Sequence, residues 1–258
     1  MIEISEIVKT YNKTIALNNI SLIIESKIIF GFVGPNGAGK STMVNILTGI
    51  IKKTSGNINI MGFDIERNSM EIKKIIGVIP EVLALFDGIT GIEHLTFIAR
   101  VYGLKQDEYQ IRINELFEYF ELYSAKDRLI ETYSQGMKKK LAFASAIIHI
   151  PQVLFLDEPF ENVDPVSRKK MKDVLKRIRD NGTTIFIASH ALAEVEDFCD
   201  EVAIISKGKI VYQSKTKDIR NKIKDEISKG TYSSLEEIFI DLTVDKDKEQ
   251  KSELSWLK

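Results

Sequence analysis

The sequence predicts an α/β fold with a central, mostly parallel sheet flanked by helices and interrupted by a helical insertion, and three observations carry that prediction. Residues 28–33, 153–156, 184–188 and 202–205 are short, nearly continuous apolar runs of the kind that fill strands buried on both faces. Helical patterns separate the last three runs, which is the arrangement of βαβ units. Between about residues 88 and 150 the pattern turns wholly helical, and at ~150 residues per domain a chain of 258 residues is one large domain or one domain with an insertion.

The first eighty residues are rich in strand signals. Residues 20–25 partly alternate, 28–33 are apolar throughout, and 57–61 alternate between the turn signals Ser55-Gly56 and Met61-Gly62. Thr90-Gly91-Ile92-Glu93 is a capping box that opens a helix carrying Leu95, Ile98 and Tyr102, with Gly103 as its stop. A second helix carries Ile113, Leu116, Phe117 and Phe120, and a third spans about 137–148. Lys207-Gly208-Lys209 reads as a hairpin turn. Past Ser214 the chain is Lys-rich; Ser233-Ser234-Leu235-Glu236 caps an expected short helix with Ile238, Phe239 and Leu242. Residues 245–251 read as a solvated tail, with Trp256 and Leu257 available for docking.

Composition excludes several classes. With 36 Lys+Arg against 37 Asp+Glu the chain is no dedicated nucleic-acid binder, and 44% hydrophobic residues exclude disorder. Cys199 is the single cysteine, so no intrachain disulfide forms and the expected compartment is cytoplasmic. No apolar run approaches the ~20 residues that span a bilayer, and Met1–Glu6 lack the basic start and apolar core of a signal peptide. Lys138-Lys139-Lys140 is read as a solvated face in preference to an anionic-lipid or nucleic-acid patch.

Gly34-Pro35-Asn36-Gly37-Ala38-Gly39-Lys40-Ser41 fits G-x-x-x-x-G-K-[ST] in full, after the strand at 28–33 and before a helix that begins at Thr42. Such a loop curls its N–H groups around a polyphosphate, and the helix dipole points at the same anion. Lys40 is expected on the β- and γ-phosphates and Ser41 on Mg²⁺. Asp157 and Glu158 close the apolar run 153–156: Asp157 suits the metal, and Glu158 suits polarising an attacking water, which favours hydrolysis over phosphate transfer to another substrate. His190 follows the run 184–189 and should reach the same edge of the sheet, close to the γ-phosphate. His94 and His149 lie in helical patterns and read as packing or surface residues.

In order along the chain, Tyr11, the loop from Gly34 to Ser41, Pro80-Glu81, Tyr133-Ser134-Gln135-Gly136-Met137, Leu156-Asp157-Glu158-Pro159, Asp164-Pro165 and His190 resemble the nucleotide-binding subunits of ATP-binding cassette (ABC) transporters over roughly residues 2–243. The resemblance implies a P-loop NTPase with an antiparallel β subdomain. Its core would comprise residues 1–87 and 151–213, a helical subdomain bearing the signature 88–150, and a helical extension and tail 214–258. It further implies that Tyr11 stacks on adenine, that Glu81 occupies the loop that meets Mg²⁺ and the membrane partner, and that Asp164 joins the two sites. Ser134 and Gly136 would touch the γ-phosphate of ATP held by an opposite subunit. The implied unit is a head-to-tail pair of cassettes, a homodimer or heterodimer around two Mg²⁺-ATP, on the cytoplasmic face of a membrane below a separate permease subunit, with no insertion of its own.

Glu81 departs from the family's glutamine, the signature differs from LSGGQ at three of five positions while keeping Ser134 and Gly136, and Asn162 and Val163 replace the usual small residue and leucine. Glu81, the Tyr-Ser-Gln-Gly-Met signature and the segment 234–239 resemble the subfamily that exports drugs, antibiotics, peptides or lipids. Leu83, Leu85 and Phe86 are either domain core or a cluster that receives a partner helix. A soluble single-cassette ATPase of a non-transport assembly system is the alternative.

Overall fold

The computed structural model of the chain describes residues 1–192, 195 and 198–218. The capping box at residues 233–236 and the tail at 245–258 lie outside the described residues. Two sheets form the frame. A four-stranded antiparallel sheet, in the order β2-β1-β4-β5, is built from β1 (Ile2–Tyr11), β2 (Thr14–Ile24), β4 (Ser55–Ile60) and β5 (Phe63–Asp64). A six-stranded sheet has the order β10-β9-β3-β8-β7-β6, from β3 (Ile29–Val33), β6 (Ile76–Ile79), β7 (Val153–Asp157), β8 (Thr184–Ser189), β9 (Glu201–Ser206) and β10 (Lys209–Lys215). All its pairings are parallel except β9 with β10, which turn back through Lys207-Gly208.

The parallel strands are apolar throughout because each face meets a different core. Ile29, Val33, Leu154, Leu156, Ile185 and Ile187 point to the helical side. Phe30, Phe32, Val153, Phe155, Phe186 and Ala188 point to the side shared with the antiparallel sheet and helix α1 (Lys40–Leu47). On that side Phe186 meets Phe30, Phe32 and Phe155 at centroid distances of 5.7, 5.4 and 5.9 Å. Period-two alternation therefore survives in space although the sequence shows none.

Helices α3 (Gly91–Val101), α4 (Gln106–Tyr119) and α5 (Gln135–Ile147) follow β6, after a short α2 (Ser69–Ile75), and α6 (Pro165–Asp180) follows β7. The Thr90 capping box is formed: Glu93 N–H donates to Thr90 Oγ1 at 3.3 Å and Thr90 N–H to Glu93 Oε2 at 2.8 Å. α3 ends in a Schellman turn, where Gly103 at φ 74° donates to Arg100 and Leu104 to Ala99, so Gly103 is the stop. β1, β6 and α2 escaped sequence reasoning, β1 because its alternation is broken by register shifts near Ser5 and Val8.

α5 lies so close to β6 that a Cβ on Gly77 would sit 2.1 Å from the Ala146 carbonyl oxygen, and this contact hangs the helical region on the sheet. His149, just beyond α5, stacks on Tyr102 at 3.5 Å and its Nε2 lies 3.0 Å from the Ile76 carbonyl. A carbonyl only accepts, so Nε2 carries the proton and Nδ1 is left buried without a partner. Burial accordingly holds the imidazole down at about 4 against an ordinary 6.5. The unfolded chain takes up this proton first, so the stability tied to neutral His149 is complete above pH 6.5 and is lost as the pH falls toward about 4. Thermal melts between those pH values are expected to show the loss, with H149F giving a flatter profile.

Candidate functional site

The C-terminal ends of β3, β7 and β8 converge on one edge of the sheet, as parallel neighbours must: Val33 pairs with Ser189, and Asp157 with Ala188. The loop from Gly34 to Gly39 leaves β3 there and enters α1. Gly39 is the N-cap at φ 111°, in the left-handed region, and a Cβ on it would strike the Ala16 carbonyl at 2.7 Å. A Cβ on Gly34 would lie 2.3 Å from the Ile205 carbonyl. The glycines at both ends are therefore steric requirements of the bend, and Ala38 packs into the core beneath it.

Lys40 is 6% exposed and folds back over its own loop, donating to the Gly34 carbonyl at 2.8 Å and the Pro35 carbonyl at 3.2 Å. Burial lowers its pKa, opposed by Glu158, Asp157 and Glu81. Glu158 is also buried and sits in a left-handed conformation at φ 46°, an uncommon state for a side chain with a Cβ. Five contacts hold it. Its backbone N–H donates to the Ala188 carbonyl at 2.9 Å and Ser189 Oγ donates to Oε2 at 3.2 Å. Oε1 accepts from the His190 backbone N–H at 2.9 Å, with His190 Nδ1 also at 2.9 Å and Lys40 Nζ at 3.8 Å. An ionised Glu158 only accepts, so Nδ1 carries the imidazole proton and Nε2 is left as an acceptor on a half-exposed ring.

Asn36, Gly37, Gly39, Lys40, Ser41, Thr42, Glu81, Glu158 and His190 line one cleft of about 280 Å³, together with Ala16 and Glu161. That volume accommodates a polyphosphate, leaving any larger remainder of a ligand on the open surface. Asp157, beneath it, is 1% exposed, and its Oδ1 has no hydrogen-bond partner. Burial pushes its carboxyl up to about 6, with Ser41 opposing and Glu81 and Glu158 adding to the rise. Ser41 Oγ donates to Glu81 Oε2 at 3.0 Å. An orphaned carboxylate oxygen, a hydroxyl and a second carboxylate are the hard oxygen donors that Mg²⁺ prefers, so Asp157, Ser41 and Glu81 fit that ion.

The remaining predicted residues lie elsewhere. Tyr11 is exposed at the β1–β2 hairpin, beside the Lys9 ammonium at 4.7 Å, and does not line the cleft. Ser134 is exposed and caps α5, accepting from Met137 N–H at 3.2 Å, with Gly136 next to it. Asp164 caps α6 by accepting from Ser167 N–H at 2.9 Å, and Ser167 holds its carboxyl below the usual range. Leu83 and Leu85 pack on the core, whereas Phe86 is half exposed against Phe97 and His94; His94 itself is buried. The solvated face expected of the three lysines is corrected: Lys139 is 6% exposed, because α5 turns it inward, and Lys138 and Lys140 are themselves partly buried. Sequence reasoning missed Lys139 inside a charge run and missed Ser189 and Glu161, although Ser189 directly precedes His190 at a strand end.

Residues 17–161 match the family model described as ABC transporter. The linearmycin resistance ATP-binding protein LnrL of Bacillus subtilis (strain 168) is 35% identical over 242 residues, 93% of this chain and 78% of that one. The daunorubicin/doxorubicin resistance ATP-binding protein DrrA of Streptomyces peucetius is 32% identical over 226 residues, 88% of this chain and 68% of that one. A solved ATP binding subunit of an ABC transporter matches with a TM-score of 0.85 at 27% identity, covering 94% of this chain and 99% of that one. The cassette MJ0796, solved as a dimer in a post-hydrolysis state with ADP and Pi, matches in fold with a TM-score of 0.77 at 23% identity, covering 84% of this chain and 99% of that one. Among the described residues no helix is long and apolar enough to cross a membrane.

The raised carboxyl of Asp157 has a measurable cost. The unfolded chain releases this proton near 3.8 and the folded chain near 6, so the contribution of Asp157 to ligand-free stability is greatest at low pH and declines as the pH rises between those values, opposite in sign to that of His149. D157N, which carries no charge, is expected to melt above the wild type at neutral pH without ligand, with the gap closing below about pH 4.

Proposed function

Because the chain belongs to the ATP-binding proteins of the ABC transporter family, we propose that it is the motor subunit of an exporter, pairing head-to-tail with a second cassette and driving transport through a separate membrane subunit. Family membership makes it an ATPase. The observation that supports the finer reading is a division of the surface. Lys40, Ser41, Glu158 and His190 gather at one cleft, while Ser134 and Asp164 stand exposed away from it. A helix N-terminus carrying an exposed hydroxyl is an anion site in search of a phosphate, and a second copy supplies one.

In this reading Lys40 leaves the Gly34 and Pro35 carbonyls for the β- and γ-phosphates, and the loop N–H groups hold the rest of the polyphosphate. Asp157, Ser41 and Glu81 would hold Mg²⁺, which would neutralise charge on the phosphates. Glu158, aimed by His190 and Ser189, accepts the proton of the attacking water. The water oxygen bonds to the γ-phosphorus, the bond to the bridging oxygen breaks, and its electron pair leaves with ADP. Ser134 and Gly136 of the second cassette close over the γ-phosphate, so hydrolysis loosens the pair. Tyr11 is assigned to the adenine.

Export is favoured by the relatives: resistance proteins against linearmycin and against daunorubicin/doxorubicin align over most of the chain. The half-exposed Phe86, with Phe97 beside it, offers an apolar seat for the membrane subunit, which would hold the chain at the cytoplasmic face. Detergent co-purification with a polytopic membrane protein is the expected result; a stable complex with soluble proteins alone would favour an assembly ATPase.

E158Q is expected to lose nearly all hydrolysis yet accumulate an ATP-bound dimer, seen by size-exclusion chromatography with ATP present. Full turnover in that variant would remove Glu158 from the role of base. K40A is expected to weaken nucleotide binding by about 2–5 kcal/mol, the loss typical of a buried charge contact, as measured by calorimetric titration.

A further inference from the structure

Helix α5 carries Lys138, Lys139 and Lys140 just after its first three residues, and the helical turn sends their ammonium groups in three directions. Lys138 pairs with Asp87 at 2.7 Å, ahead of α3, and Lys140 donates to Ser167 Oγ at 3.3 Å, in the first turn of α6. Lys139 goes inward and is 6% exposed. It lies three residues after Gly136, hence on the same helix face, and that face looks onto the turn after β7: a Cβ on Gly136 would sit 3.4 Å from the Asn162 carbonyl oxygen. Glu161, the neighbour of Asn162, lines the cleft that holds Lys40, Glu81 and Glu158.

We propose that Lys139 is a positioning residue for ATP hydrolysis: the helix that bears Ser134 and Gly136 lends the acidic end of β7 a second buried cation, which ties the placement of that helix to the charge in the nucleotide cleft. The proposal rests on reading the cleft as an ATP site. Burial lowers the Lys139 pKa, opposed by Glu161 first and then by Asp157, Glu158 and Glu81, and the last three also act on Lys40. Two desolvated cations from separate parts of the chain thus share one set of carboxylates. Neither is redundant, since Lys40 is spoken for by the loop carbonyls and the phosphates that replace them. A polyphosphate entering without a divalent cation meets carboxylates that these two lysines help to balance. With Mg²⁺ present, the added charge masks the loss of Lys139, which does not itself reach the phosphates.

The test compares dissociation constants of the full chain for a fluorescent ATP analogue in EDTA and in Mg²⁺. K139M keeps the apolar stem and K139Q keeps a polar tip, and in whichever of them folds, the EDTA-to-Mg²⁺ ratio is expected to rise at least about fivefold, the size of a charge interaction lost at a partly desolvated site. K139R should stay within about twofold of the wild type, because the charge and not the side-chain shape is at issue. Turnover at saturating Mg²⁺-ATP should fall in the neutral variants with little change in KM, and return in K139R. An unchanged ratio, an equal rise in K139R, or unaltered turnover overturns the proposal. A wild-type chain that does not bind the analogue overturns the reading of the cleft itself, and the role of Lys139 with it, whereas normal binding with an unchanged ratio overturns Lys139 alone.

Discussion

Charge brought out of water at the ends of parallel strands is the constraint on which the rest of this molecule turns. Asp157 is 1% exposed with an oxygen that bonds to nothing, and beside it Lys40 is buried on carbonyls of its own loop. Neither arrangement is a stable end in itself: a buried carboxylate without a partner costs free energy, and a lysine held on carbonyls is poorly matched. A polyphosphate with a hard dication would relieve both at once. The ligand-free chain is therefore built with an electrostatic deficit whose shape is that of its ligand, and binding energy appears as relief of that deficit.

The fold exists to hold that deficit rigid. Five parallel strands, buried on both faces, bring β3, β7 and β8 to one edge in register. The phenylalanines packed around Phe186 then fix the sheet on the side where α1 carries its dipole toward the loop. On the other side the helices are anchored where Gly77 admits the Ala146 carbonyl. At the strand-end edge Glu158 takes a strained left-handed backbone, held by Ala188, Ser189 and His190, three consecutive residues at the end of β8. Strain of that kind persists only where the surroundings over-determine it, and here they are the neighbouring strand itself.

What could be read from the sequence follows the range of the physics. The phosphate loop, the Thr90 box and the Gly103 stop depend on contacts within a few residues, so their residue types reveal them. The strand ends at Asp157 and His190 are legible because a polar residue closing a fully apolar run marks the sheet edge. Lys139 is invisible in a run of three lysines, since only the rotation of α5 against the turn at 161–162 separates it from its neighbours. β1 is hidden for a related reason: Glu6 adopts φ 53° in mid-strand, and the broken register erases the period of two. Tyr11 illustrates the opposite limit, because its motif position says what it should face while the single chain leaves it exposed beside Lys9.

Exposure of that sort has a direction. Ser134 and Asp164 already spend oxygen atoms on helix caps, at Met137 and Ser167, so each is fixed in place at an exposed position. A cap that also meets a ligand needs no reorganisation when the ligand arrives, which lowers the entropy lost on association. If the ligand is the phosphate of a second cassette, a two-fold axis makes the surface self-complementary: each chain offers its cleft to the other's cap, and both sites form or neither does. Cooperativity between two nucleotides then requires no signal through the interior. It follows from building every site out of two halves, each of which is incomplete for the same electrostatic reason.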